Sequence, residues 1–253
     1  SARQIEIVDA MVNRQVAGIA LAPVDKKALV SVVERAHRAG IPVAIFDSGI
    51  DTEKRITYVA TNNEEGGRMA ARRLGEILGG KGKVGVVGFM IGSASTMERE
   101  SVFIDEMNQK YPAIEVLPVQ FGMADRAKAM AVTENMLTAH PDLAGIFADN
   151  ESSTTGAVQA LKARSARQVK LVAFDASEQI VSDMREGWID SLVAQNPYRM
   201  GYESVKAVCA EIEGGSPAPL IDSGATLVTP KNIDTEEIQQ LLFPKIEGIL
   251  SGH

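Results

Sequence analysis

A chain of 253 residues, 45% of them apolar and 23% charged, has an ordinary globular composition. This excludes extended disorder, collagen and coiled coil, and leaves room for one large domain or two small ones with real cores. Its 26 basic and 33 acidic residues give a formal charge of −7, which argues against a nucleic-acid partner with its demand for a basic stripe.

No run of about 18 apolar residues is present to span a bilayer, and the first residues carry no charged-then-apolar export pattern. The single cysteine forms no internal disulfide, so cysteine usage favours neither an oxidising nor a reducing compartment.

From the N-terminus onward, short apolar runs alternate with helical periods. A helix over 5–13 leads into a strand at 18–22, a helix over 26–39 and strands at 42–46 and 57–60. Next come a helix over 64–78, a strand at 83–88, a helix from about 97 to 110 and a strand at 115–119. A strand at 145–148, a helix over 154–163 and strands at 170–174 and 191–194 complete the alternation. Gly214-Gly215-Ser216-Pro217 reads as a loop. Asp234 and Glu237 have capping spacing for a last helix whose apolar face is Ile238, Leu241 and Leu242, and Pro244 ends it. Strands alternating with helices predict parallel sheets with right-handed crossovers, an α/β fold.

The pattern repeats within the chain. Ala17-Gly18-Ile19 is echoed by Ala144-Gly145-Ile146, and Ile45-Phe46-Asp47-Ser48 by Ala173-Phe174-Asp175-Ala176. Val59-Ala60-Thr61-Asn62 returns as Val193-Ala194-Gln195-Asn196, each followed by Arg-Met. Three echoes in one order predict two similar lobes. The second copy carries a strand, a helix and a strand ahead of its echo that the first copy lacks. The expectation is that a unit of roughly 40 residues is missing from the first lobe, judged by its twin.

Several motifs resolve into structural roles. Gly75-x4-Gly80-Lys81-Gly82 runs from helix to strand and has glycine where a phosphate loop needs a hydroxyl, so it reads as a helix-ending turn. Arg68, Arg72 and Arg73 follow Glu64 and Glu65 and read as a solvated helix face. His37, His140 and His253 have no partner at metal-ligand spacing, and no nucleophile elbow is present. Cys209 shares a helical face with Val205, Val208 and Ile212 and reads as core. Neither a metal nor a cofactor is called for.

More informative are polar residues at strand ends. Asp47 and Asp175 follow apolar strands in equivalent places of the repeat; Asn150 and Gln195 end two others, and Arg99 opens a helix near the same edge. Ligands of open α/β sheets bind outside the carboxyl ends of strands. A single aspartate there serves equally well as a helix N-cap, and acid–base chemistry by the pair stays open, although no partner with a tuned pKa can be named. As a binding set, two carboxylates, one guanidinium and two amides match the adjacent hydroxyls of a sugar or polyol.

At these residues the sequence resembles the type I periplasmic sugar-binding proteins, the ribose- and galactose-binding group of ABC transporter receptors. The matching stretches are Leu21-Ala22-Pro23-Val24-Asp25, Ile41-Pro42-Val43-Ala44-Ile45-Phe46-Asp47, Thr61-Asn62-Asn63 with Gly66-Gly67, and Glu98-Arg99. Further along are Leu137-Thr138-Ala139-His140-Pro141-Asp142, Val172-Ala173-Phe174-Asp175 and Ala194-Gln195-Asn196-Pro197. The resemblance implies two Rossmann-like lobes, 1–61 plus 196–224 and 62–195 plus 225–253, joined by three hinge strands that cross near Thr61-Asn62, Ala194-Gln195 and Gly224.

It implies ligand roles for Asp47, Arg99, Asn150, Asp175 and Gln195, and secondary ones at Ser48 and Ala124, where relatives tend to carry an arginine and an aromatic ring. Those two departures, and the absent first unit, point to ring stacking that is poor or differently supplied, and to a ligand that can be smaller than a hexose. The resemblance further implies a monomeric, exported, periplasmic receptor that hands its sugar to a membrane permease and is not an enzyme. The effector domain of a lactose-repressor-type regulator shares the fold and is the alternative. The tail from Leu227 to Asp234 resembles the transport members more.

Overall fold

The structure is a computed structural model and describes residues 1–245. In chain order its elements begin with α1 (Ala2–Asn13), β1 (Ile19–Leu21), α2 (Val30–Arg38), β2 (Val43–Phe46) and β3 (Thr57–Ala60). There follow α3 (Asn63–Ile77), β4 (Lys81–Gly88), α4 (Ala94–Lys110), β5 (Ala113–Val116), β6 (Gln120–Phe121) and α5 (Arg126–Ala139). Next are β7 (Leu143–Ala148), α6 (Glu151–Ala163), β8 (Lys170–Phe174), α7 (Glu178–Arg185) and β9 (Ser191–Ala194). The described chain closes with α8 (Pro197–Ile212), β10 (Leu220–Asp222), β11 (Thr226–Val228) and α9 (Glu236–Leu242).

The chain divides into two compact units. The first contains Ser1–Asn63, Ile91–Glu98 and Asn196–Gly224. Its sheet has the order β1-β2-β3-β10, every pair parallel. Val43 and Ile45 of β2 pack with Val8 of α1 and with Val32, Val33 and Ala36 of α2, while α8 lies along β1, β2 and β3. The segment Ile91–Glu98 is tied into this unit by the Lys26 N–H donating to the Gly92 carbonyl at 2.9 Å.

The second unit contains Glu64–Met90, Arg99–Gln195 and the chain from Ala225. Its sheet runs β11-β9-β8-β7-β4-β5, with β6 also paired to β4. Period-two alternation sorts each strand between two cores. Leu171 and Ala173 of β8 face a core with Ala157, Val158 and Leu161 of α6 and Ile180, Val181 and Met184 of α7. Val172 and Phe174 face the other, with Ala70, Ala71 and Leu74 of α3 and Phe103 and Met107 of α4. Covered on both faces, such strands are continuous apolar runs. The sequence prediction accordingly matches the bounds of β3, β8 and β9.

The internal repeat is written in the strand registers. Ile19 pairs with Val43 in the first unit as Ile146 pairs with Leu171 in the second. Phe46 pairs with Val59 as Phe174 pairs with Val193. The first residue after each of these strands matches too. The Asp47 N–H donates to the Val59 carbonyl at 2.9 Å, and the Asp175 N–H to the Val193 carbonyl at 3.0 Å. Both aspartates sit in the left-handed region, at φ 65° and 69°. The units differ at the strand added last: β10 joins β3 in parallel, whereas β11 joins β9 antiparallel.

Some sequence expectations change. Cys209 is exposed on α8, together with Val205 and Ile212; only Val208 of that face is buried. An apolar spacing names a helix face without saying that anything covers it. Asp234 does not cap the last helix, which starts one residue later from Thr235; its carboxylate takes the Arg185 guanidinium at 2.7 Å instead. Arg68 pairs with Glu64 at 3.0 Å as expected, but Arg72 and Arg73 reach across to Glu106 and Asp190. The Gly75–Gly82 motif is the predicted turn, with Gly79 and Gly80 at positive φ between α3 and β4 and Gly82, also at positive φ, as the second residue of β4. His253 lies outside the described residues.

Helix α5 escaped the sequence reading because its buried positions are Ala129, Thr133 and Met136, too small and polar to stand out as an apolar stripe. The adjacent glycines Gly66 and Gly67 let α3 settle closely on its neighbours. A Cβ at Gly67 would lie 2.6 Å from the Arg99 carbonyl oxygen, a backbone atom that cannot swing aside. Gly67→Ala is therefore expected to destabilise the fold by about 1–3 kcal/mol, as overpacking does, measured by urea denaturation.

Candidate functional site

In the second unit the carboxyl ends of β7, β8 and β9 carry Asn150, Asp175 and Gln195 side by side. Asp175 is not a helix cap: Ser177 caps α7 instead. Its left-handed backbone turns the carboxylate back across the strand ends. There Oδ1 accepts from Gln195 Nε2 at 2.6 Å, and Oδ2 accepts from the Glu151 N–H at 2.9 Å. Gln195 is thereby held by its amide nitrogen, and its Oε1 is buried without a hydrogen-bond partner. That oxygen is an acceptor aligned beside a carboxylate, an arrangement suited to a hydroxyl donor.

Asn150 is the N-cap of α6, accepting from the Ser153 N–H at 2.9 Å. Asn150 thus caps α6 from its own segment, while Asp175 takes that helix's first N–H from the neighbouring strand end. The Asn150 oxygen is occupied in the cap, so its remaining chemistry is that of an amide donor.

Arg99 is buried at 2% exposure on α4. Its guanidinium carbon sits 3.8 Å from the centroid of the Phe174 ring, and Nη1 donates to the Asp149 carbonyl at 2.9 Å. A cation stacked flat on a buried ring is fixed in orientation as well as place. From sequence, Phe174 figures only as the last residue of the apolar strand at 170–174 and as part of the repeat. The signal for its second role was its position just before Asp175.

In the first unit, Asp47 follows β2 with the backbone geometry of Asp175. Ser48 beside it is buried, and its Oγ accepts from the Ser95 N–H at 3.3 Å. Ala124 lies exposed before α5 at φ 59°, next to Met123 at φ 57°. Its N–H donates to the Phe89 carbonyl at 3.3 Å. Thr61 is buried and Asn62 exposed. The Asp222 carboxylate accepts from the N–H groups of Asn62 and Gly224, at 3.3 and 2.8 Å. The chain passes from one unit to the other directly after Asn63, Met90, Glu98, Gln195 and Gly224.

Two further buried carboxyls, Glu100 and Asp149, stand behind this set and were missed in the sequence. Each is the neighbour of a residue that was singled out, Arg99 and Asn150. Among the described residues no group of three or more His, Cys, Asp or Glu side chains is placed to hold a metal ion.

Comparison with known proteins shows the family. Residues 1–216 match the family described as periplasmic binding protein domain. The ribose import binding protein of Bacillus subtilis is 29% identical over 231 residues, covering 91% of this chain and 74% of that protein. An ABC transporter solute binding protein from Agrobacterium vitis with bound D-fucose superposes with a TM-score of 0.92 at 30% identity, covering 96% of this chain and 84% of that one. A carbohydrate transporter solute binding protein from Agrobacterium radiobacter in complex with D-arabinose gives 0.91 at 30% identity, covering 94% and 82%. With its twinned α/β units and its polar strand ends, the chain belongs to the periplasmic binding protein family.

Proposed function

We propose that the chain is the solute receptor of an ABC importer and that it binds a neutral monosaccharide or small polyol. The observation that carries this reading is the Asp175–Gln195 pair at the ends of β8 and β9, with Arg99 stacked on Phe174 behind it. Acceptors, amide donors and a guanidinium in one place suit a ring of alternating hydroxyls. The anionic groups oppose a phosphorylated ligand. In this reading Arg99, Asn150, Asp175 and Gln195 of the second unit and Asp47 of the first hold the sugar. Ser48 and Ala124 are secondary, and Thr61, Asn62 and Gly224 act as the hinge on which the units close.

The receptor works as a monomer outside the cytoplasmic membrane, delivers its sugar to a permease and leaves it chemically unchanged. Relatives that carry ribose, fucose or arabinose in their names or structures support the sugar class over a repressor effector domain.

The test is a thermal-shift screen followed by calorimetry with D-ribose, D-arabinose and D-fucose, with ribose 5-phosphate as the charged control. A neutral sugar is expected to raise the melting temperature, since it binds the folded state alone, and the phosphate to do nothing. NMR of the incubated sugar should show a single unchanged compound. No shift with any neutral sugar or polyol, or turnover of one, overturns the proposal.

A further inference from the structure

Glu100 and Asp149 pose a problem of chemistry. Asp149 follows β7 and is fully buried; Glu100 lies on α4 at 6% exposure. Asp149 Oδ2 accepts from the Phe89 N–H at 3.0 Å, just past the end of β4. Asp149 Oδ1 and Glu100 Oε1 are both buried and receive no donor from a neighbouring N–H or hydroxyl. Both carboxyls converge on the Gly88–Phe89 segment, Asp149 through the Phe89 N–H and Glu100 through its close approach to Gly88. Ionised carboxylates only accept, so two of them meeting there without a donor can bond only if one carries a proton. The surroundings are tight: a Cβ on Gly88 would sit 2.7 Å from Glu100 Oε1.

We propose that Glu100 and Asp149 share one proton, and that this proton holds Arg99 and Asn150 in position for the ligand. The ligand part of this inference rests on the sugar-receptor reading. Arg99 and Glu100 are consecutive on α4, and Asp149 and Asn150 are consecutive at the tip of β7. The Arg99 guanidinium already bonds to the Asp149 carbonyl at 2.9 Å. The carboxyl–carboxylate bond closes a ring that clamps the Arg99–Glu100 turn of α4 to the tips of β4 and β7. Loss of the proton would set two like charges against each other in a dry site and force the clamp open. Both residues are positioning residues, acting through their neighbours.

The charged groups facing the pair are Arg99, which favours ionisation of both carboxyls, and Asp175, which opposes that of Asp149. Burial dominates. It pushes the Glu100 carboxyl up to about 9, aided by the hydrogen bond to Asp149 and the Asp149 charge. Asp149 is also raised by burial, while the bonds from Glu100 and Phe89 and the Arg99 charge act the other way.

The sign of the linkage follows. The folded chain keeps a proton that unfolded Glu100 releases near its ordinary value of 4.5. The contribution of Glu100 to stability is therefore fully present below that value and is lost as pH rises toward about 9, where folded Glu100 ionises.

The experiment compares the full chain with E100Q, whose amide donates to Asp149 without needing a proton, and E100A, which cannot donate. Without sugar, the Phe89 amide and Arg99 Nε NMR resonances are followed from pH 6 to 10.5. The wild type should titrate with a midpoint above neutrality and E100Q should not. With D-ribose, or whichever screened sugar binds, wild-type affinity should fall about tenfold between pH 7 and pH 10. E100Q should stay flat across that range and E100A should be weak throughout.

Wild-type and E100Q resonances that move alike, or affinities with the same pH slope, overturn the shared proton. Resonances that titrate as expected beside a pH-flat affinity overturn the positioning role. If no sugar binds, the sugar reading fails, and the unliganded titration of Arg99 alone decides for or against the clamp.

Discussion

Replacing Asp175 by alanine is expected to lower sugar affinity by about a hundredfold or more while leaving the protein folded. A hydrogen bond to a charged group contributes roughly 1.5–3 kcal/mol, and two such bonds to vicinal hydroxyls account for that loss. The variant also releases Gln195 Nε2 and the Glu151 N–H from their shared acceptor, so the second unit's amides lose their alignment along with the charge.

Stability should fall less, by about 1–2 kcal/mol, because alanine is strained at a φ of 69° and two hydrogen bonds disappear. Asp175→Asn keeps the shape and tolerates the same backbone, and should fall between the two. Calorimetry with the sugar found in the screen, set beside urea denaturation, separates the effects. An alanine variant that binds like the wild type would remove Asp175 from the site.

The largest effect on stability is expected at Phe174. Its side chain is fully buried between Val172, Val193 and the helices α3 and α4. A Cβ on Gly66 would approach its Cζ to 2.7 Å, which shows how closely α3 is moulded to the ring. Phe174→Ala should cost about 3–5 kcal/mol, the range for removing a buried aromatic ring.

Phe174→Leu is the more informative variant. It refills most of the space, so the packing loss should stay near 1–1.5 kcal/mol. It also removes the ring on which Arg99 lies, an intramolecular contact whose loss adds up to about 2 kcal/mol to the cost in stability. Leucine should still cost the fold less than alanine, while sugar affinity falls in both because the guanidinium loses the ring that orients it. Wild-type affinity in a folded leucine variant would mean that the ring only fills space.

How much of this was legible in the sequence depended on what each residue does. β8 and β9 were readable to the residue because both their faces are covered, so nothing polar interrupts them. The twin aspartates were readable because they recur at the same step of a repeat, and the registers of Phe46 with Val59 and Phe174 with Val193 are the physical form of that recurrence. Asn150 was found as a polar strand end, but not that its oxygen is committed to the α6 cap.

Cys209 was misplaced because spacing defines a face and only packing buries it. Glu100 and Asp149 were missed for a different reason. A lone carboxylate beside a polar residue looks like surface, and burial of a carboxyl pair is a property of two strands and a helix meeting, which no short window contains.

The left-handed backbone at Asp47 and Asp175 narrows what any descendant of this protein can become. Few residue types stand comfortably at such a conformation; glycine, asparagine and aspartate are the usual ones. Glycine brings no side chain, and asparagine exchanges an acceptor for a donor, so of the three only aspartate offers a charge. If these aspartates hold the sugar as proposed, a lineage drifting toward a new cargo has two of its alphabet's letters nearly frozen by main-chain geometry, and must change its taste elsewhere.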